Sequence, residues 1–242
     1  MKKLLLLLSC FVMVFAAHAQ QPSQENTSYT LDPQATAAAP WKVGEMIAEE
    51  PCFVLNETTC YFKFLGITTQ GKALLQEFYA SEQKATEPYT AIVLPETGER
   101  RRDGLYTMLH ENGQKMMEGY YQDGKRQGLW PIWWYGDGAK HSEGYYQDGK
   151  IQRLSAFWHD DQKMSKDHYQ DDKMQGLSTR WHENGQKARE GHYQDNKKQG
   201  LWTWWHDNGQ KSQEGYYQDD KPQGLWTWWD KNGNIIEKRN FD

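Results

Sequence analysis

Four histidines, His110, His159, His182 and His206, fall at one position of a period of about 24 residues. Imidazole is a metal ligand and a general base, so such a column invites a metal site. The spacing argues against one. If each period is a β-hairpin, equivalent residues sit two strands apart, about 9–10 Å. Ligands of one metal lie about 2 Å from it. The column therefore predicts hydrogen bonds beside a turn. Asp123, Asp148, Asp171, Asp195 and Asp219 meet the same objection and lack the nonapeptide spacing of calcium-binding β-rolls, so they predict turns. No nucleophile elbow, glycine-rich phosphate loop or HExxH motif occurs. Carboxylates abound, but they recur in every period, whereas a catalytic site is unique. The chain reads as no enzyme, with no metal and no cofactor.

Three cysteines are present, Cys10, Cys52 and Cys60. The start of the chain bears on them. Lys2 and Lys3 precede an apolar run from Leu4 to Phe15, and Ala17-His18-Ala19 is a small-x-small cleavage site. This predicts a signal peptide over residues 1–19, cut after Ala19, with export to the periplasm or cell surface. A lipoprotein signal cut before Cys10 is the rival, although the apolar run continues past Cys10. Export leaves Cys52 and Cys60, flanked by Phe53-Val54-Leu55 and Tyr61-Phe62-Lys63-Phe64. Two readings stand: a cross-strand disulfide, or two unpaired buried thiols.

Residues 20–40 are polar and rich in Ala, Gln, Pro and Ser, which predicts a flexible linker. Residues 41–70 form a small module holding the cysteine pair. From 71 to 242 a repeat dominates. Gly104-Leu105, Gly128-Leu129, Gly176-Leu177, Gly200-Leu201 and Gly224-Leu225 open five units, and Arg153-Leu154 opens a degenerate one. Asn112-Gly113, Asn184-Gly185, Asn208-Gly209 and Asn232-Gly233 supply one set of turns. Tyr-Gln-Asp-Gly-Lys and its variants supply the other. A weaker leading unit aligns Phe78–Tyr89 with Trp181–His192 and ends in Arg100, Arg101 and Arg102, read as a solvated loop. Asn-Gly and Asp-Gly predict type I′ hairpin turns, and Trp, Tyr and Thr suit strands. The fold class is all-β: an elongated, twisted antiparallel meander of tandem hairpins, about six clear units, with a small N-terminal module.

Composition agrees. Aromatics reach 14% with 12 Trp, so burial rests on large rings. A net charge of −5 argues against nucleic acid as a partner. Alternation splits each first strand into two faces. One repeats Leu, a small residue and Trp, as in Leu201, Thr203 and Trp205, and predicts packing; a continuous ligand groove is its alternative. The other varies. Trp202, Trp204, Trp226 and Trp228, with Trp130 and Trp134 farther along, are its candidate binding residues. They predict a contact with a protein, a glycan or a lipid, or else a patch covered by curling of the sheet or by the N-terminal module.

The unit Gly-Leu-Trp-x-x-Trp-x-x-Asn-Gly-Gln-Lys-x-x-Glu-Gly-x-Tyr, clearest from residue 200 onward, resembles the MORN-variant repeat of bacterial proteins related to the YwqK antitoxin family. That resemblance implies an elongated hairpin sheet used for protein or membrane contacts. The antitoxin connection implies neutralising a toxin by binding it, and an export signal would place such a protein in the envelope. The expected function is an exported scaffold for protein–protein contacts; a glycan- or lipid-binding module and an immunity protein are the alternatives.

Overall fold

The computed structural model describes residues 28–51, 59–94 and 96–241. The signal peptide and Cys52 lie outside the described residues. A five-stranded sheet comes first: β1 (Met46–Pro51), β2 (Thr59–Ile67), β3 (Ala73–Tyr79), β4 (Tyr89–Val93) and β5 (Arg100–Arg102). A twelve-stranded sheet follows: β6 (Gly104–Leu109), β7 (Lys115–Gln122), β8 (Lys125–Trp133), β9 (Lys140–Gln147), β10 (Lys150–His159) and β11 (Gln162–Gln170), then β12 (Lys173–Trp181), β13 (Lys187–Gln194), β14 (Lys197–Trp205), β15 (Lys211–Gln218), β16 (Lys221–Trp229) and β17 (Ile235–Phe241). In both sheets every strand pairs antiparallel with its neighbours in sequence, so the fold is the meander that the turn residues dictate.

The two sheets meet at a seam. Thr86 bridges Met108, Leu109 N donates to Ala85 O at 2.8 Å, and Asp103 N donates to Thr90 O at 2.9 Å. Residues 85–93 thus run alongside residues 100–109. A division after residue 70 does not match this arrangement, because β2 and β3 pair from Cys60↔Tyr79 to Ile67↔Ala73. Nor are residues 28–40 a loose tether. Pro33–Ala38 is a short helix, α1, whose N-cap Asp32 accepts from Gln34 N at 2.9 Å and Ala35 N at 3.0 Å. The Thr36 hydroxyl accepts from Ile67 N at 2.9 Å and ties the helix to β2. Six residues are too few for apolar periodicity, but Asp followed by Pro at the first helical position is a cap signal.

The type I′ geometry falls at the Tyr-Gln-Asp-x-Lys connections and not at Asn-Gly. Asp219 and Asp220 both have positive φ, 49° and 66°, which makes the Tyr-Gln-Asp-x-Lys connection the type I′ turn. Asp and Asn tolerate this region without glycine. At the Asn-Gly connection only the glycine turns left-handed, as with Gly209 at φ 82°. Gly209 N donates to His206 O at 3.0 Å and His206 N to Gln210 O at 2.8 Å, the three-residue loop that ends in a glycine bulge. In the degenerate unit Asp160 and Asp161, at 48° and 58°, form a two-residue turn in its place. This shorter turn accounts for part of the drift in the period.

Packing is dense at one end. Phe64, Leu75, Tyr89, Ala91, Tyr106, Met108, Met117 and Trp130 form one buried cluster. Arg102 is no solvated loop residue: its guanidinium lies 4.7 Å from the Tyr106 ring centre and 3.1 Å from the carboxylate of Glu77, which is 1% exposed. Burial first, then the Glu77 charge, pushes the Tyr89 and Tyr106 hydroxyls well above the usual tyrosine range. Burial, with Glu111 and Glu77, raises Tyr79 to about 12. Cys60 is buried beside Tyr79 and Ala85 and is disulfide-bonded.

Candidate functional site

The face carrying Trp130, Trp202 and Trp226 is the packed one. These three rings are buried, Trp202 completely. The cause is a glycine on the preceding strand. A Cβ on Gly119, Gly191 or Gly215 would overlap the ring of Trp130, Trp202 or Trp226 outright. Each tryptophan lies flat over a glycine slot, and the glycine of the Glu-Gly pair is what admits it. The indole N–H of Trp202 donates to His192 O at 3.2 Å, and that of Trp226 to Tyr216 O at 3.2 Å. Tyr193, Tyr217 and Phe241 meet these rings edge-on at 5.1, 5.0 and 5.9 Å. Trp204 and Trp228 continue the stack at 5.7 and 5.8 Å and are half-buried. Lys198 lies 5.1 Å from the Trp202 ring centre and 4.8 Å from that of Tyr217. Of the six tryptophans singled out from sequence, Trp130, Trp202 and Trp226 therefore hold hairpins together and are not exposed contacts. Trp134 is exposed and packs edge-on against His141 at 4.1 Å.

The ladder is interrupted at mid-sheet. Asp167 stands where β7, β9, β13 and β15 have glycine, and Ser178, like Ser155 on β10, stands where β8, β14 and β16 have the tryptophan. Ser178 donates to Asp167 at 2.7 Å, and Arg180, in the place of Trp204, at 2.6 Å. A filled slot and a small partner replace an empty slot and a ring. Arg153 sits at φ 60° where other units use glycine, with its guanidinium 4.9 Å from the Tyr145 ring centre. At the C-terminal edge Arg239 fills the slot position and faces Trp226 across the ladder, so β17 offers no slot for a further tryptophan. Charges on an edge strand also oppose strand addition.

The opposite face, expected to be the packing face, is half-solvated. Leu201, Tyr216 and Leu225 are 43, 56 and 57% exposed, with Leu201 paired to Tyr216. The small middle residue does not make room for a ring. Thr107, Thr179 and Thr203 donate instead to Glu118, Glu190 and Glu214 at 3.0, 3.1 and 3.0 Å. The same carboxylates hold Lys115, Lys187 and Lys211 at 2.7, 2.8 and 2.6 Å. Trp133, Trp158, Trp181, Trp205 and Trp229 close this face at the Asn-Gly end, all half-buried. Sequence reasoning missed this Thr–Glu–Lys ladder. The recurrence of Lys three residues before Glu was the signal.

The polar columns have structural partners. His110, His182 and His206 present Nε2 to the backbone oxygens of Trp133, Trp205 and Trp229 at 3.1, 2.9 and 3.0 Å, one repeat onward. His159 contacts Asp160 at 3.5 Å instead. The turn acids tie successive repeats. Asp219 accepts from Gln199 at 2.9 Å, Asp220 from Lys198 N at 2.9 Å, and Asp171 from Gln152 at 2.7 Å. Among the described residues no three His, Cys, Asp or Glu side chains gather into a group that could hold a metal ion.

The repeat itself is recognised by comparison. The family described as MORN repeat variant matches residues 102–125, 174–195, 198–219 and 222–242. The segments 174–195 and 198–219 each run from one type I′ connection to the next, while the degenerate stretch around Asp167 is unmatched. No curated protein matches the chain.

Proposed function

We propose that this MORN-variant repeat protein is an exported, non-enzymatic scaffold that contacts a second protein through the face bearing Leu201, Tyr216 and Leu225. The observation that carries this reading is their exposure together on adjacent C-terminal strands, while the opposite face uses its rings to join hairpins. A cluster of exposed apolar side chains on one sheet face marks a surface that meets a protein, a membrane or a ligand. Export rests on Lys2, Lys3, the apolar run to Phe15 and Ala17-His18-Ala19. Absence of catalysis rests on the repetition of nearly every polar motif and on a repeat family that is typically non-catalytic.

The test is in-cell crosslinking of the tagged protein followed by mass spectrometry, beside a variant carrying Leu201→Ser, Tyr216→Ser and Leu225→Ser. Surface changes of this kind alter stability little. The expected result is one dominant protein partner, absent from the folded variant, and a mature chain beginning at Gln20. An undiminished partner in the variant would move the contact elsewhere on the sheet.

A further inference from the structure

We infer that Trp181, Trp205 and Trp229 form a row that binds an extended, uncharged β-1,4-linked glycan. This stands apart from the protein contact, because the row lies at the Asn-Gly end of the strands and Leu201, Tyr216 and Leu225 lie toward mid-strand on the same face. Spacing is the first argument. The three rings occupy one register position on one face, each paired with the residue that opens the next strand. Successive rings are two strands apart, about 9–10 Å. An extended β-1,4-linked chain presents the same sugar face once per disaccharide, and that repeat is close to this spacing. One ring per disaccharide follows.

A pocket is the second argument. A shallow, open depression of about 500 Å³ lies between consecutive turns, lined by Gln186, Lys187, Trp205, Asn208, Gly209 and Gln210. An indole with amide groups around it suits a sugar, whose C–H face stacks on the ring while its hydroxyls take the amides. Charge is the third. Lys187 and Lys211 lie 5.7 and 5.9 Å from the Trp205 and Trp229 ring centres, but Glu190 and Glu214 hold them at 2.8 and 2.6 Å. The row is therefore locally neutral. A polyanion or an anionic bilayer would meet a carboxylate beside each of these ammonium groups, and a neutral sugar would not.

The experiment titrates the full chain with chitin and cellulose oligosaccharides of two, four and six sugars, read by intrinsic fluorescence and calorimetry. Affinity should rise at least tenfold from disaccharide to hexasaccharide as further rings engage. Trp205→Ala should lose at least tenfold, and Trp205→Tyr should keep most of the binding. The pair Gln186→Ala and Gln210→Ala, both on exposed turns, should weaken it severalfold with the fold intact, which guards against a misfolded Trp205 variant. Three results would overturn the inference: no binding of either hexasaccharide, an affinity independent of length, or equal binding by a folded Trp205→Ala. Displacement of the hexasaccharide by heparin or phosphatidylglycerol vesicles at lower concentration would overturn it as well, since the row would then serve anions.

Discussion

At the N-terminal end, side chains from β2 through β8 share one buried cluster, with Glu77 buried and Arg102 half-buried among tyrosines. At the C-terminal end, Trp202 and Trp226 are the large side chains that are buried, each over the glycine of the strand before it. The first arrangement spreads burial over many residues and many strands. The second concentrates it in one ring per hairpin and makes stability a chain of nearest-neighbour joints. The opposite face adds the recurring Thr–Glu–Lys contacts, which join strands through polar groups and bury no large ring.

Removing a joint should have the largest effect on this contrast. Trp202→Ala should cost about 3–5 kcal/mol, the range for a large buried aromatic. Hydrogen exchange should then show loss of protection concentrated in β13–β15, with the N-terminal cluster unchanged; uniform loss across the sheet would contradict nearest-neighbour joints. Filling a slot comes next. Gly191→Ala should destabilise by about 3 kcal/mol, at the upper end for overpacking. Gly144→Ala should cost less, since its added Cβ would meet Tyr146 and Ile151 at 3.1 and 3.2 Å and no tryptophan. Thermal unfolding of the two variants gives the order.

The mid-sheet interruption extends the rule. Ser178→Trp alone should destabilise, because Asp167 occupies the slot, and Asp167→Gly alone should strand Arg180 and Ser178. Together they rebuild the joint, so a double-mutant cycle should show a favourable coupling of about 1–3 kcal/mol. Additive losses would mean that the slot does not govern the ladder. The smallest effect is on pH dependence. Tyr79, Tyr89 and Tyr106 keep their protons in the folded chain above the pH at which the unfolded chain loses them. The stability they contribute is present below about pH 10 and is lost as pH rises through their raised values, about 12 for Tyr79 and well above the usual tyrosine range for Tyr89 and Tyr106. Tyrosinate absorbance should therefore show a late phase that coincides with unfolding of the N-terminal hairpins; a single reversible titration near the ordinary tyrosine value would contradict it.

The period, the turns and the meander were legible in the sequence because hairpin chemistry is local. Reading one strand at a time fails where two strands must be considered together, and the faces show it. Alternation separates Trp202 from Leu201, but which side is buried depends on Gly191, a residue on another strand. The likeness of the Leu face between units suggested packing, whereas the recurring glycine of the Glu-Gly pair was the packing signal. The assignment of turn types failed for a related reason. Asn-Gly fits both a two-residue and a three-residue loop, and the register of Trp205 against Lys211 selects the longer. The seam at Thr86 and Met108 is a tertiary contact with no repeat to announce it.

If one face joins the repeats and the other meets the partner, photo-crosslinking from neighbouring positions on opposite faces should separate them. A photoreactive residue would replace Leu225 in one sample and Trp228 in another. The partner should be captured from position 225 and not from position 228. Capture from position 228 alone would contradict this division of the sheet and return the contact to the aromatic face.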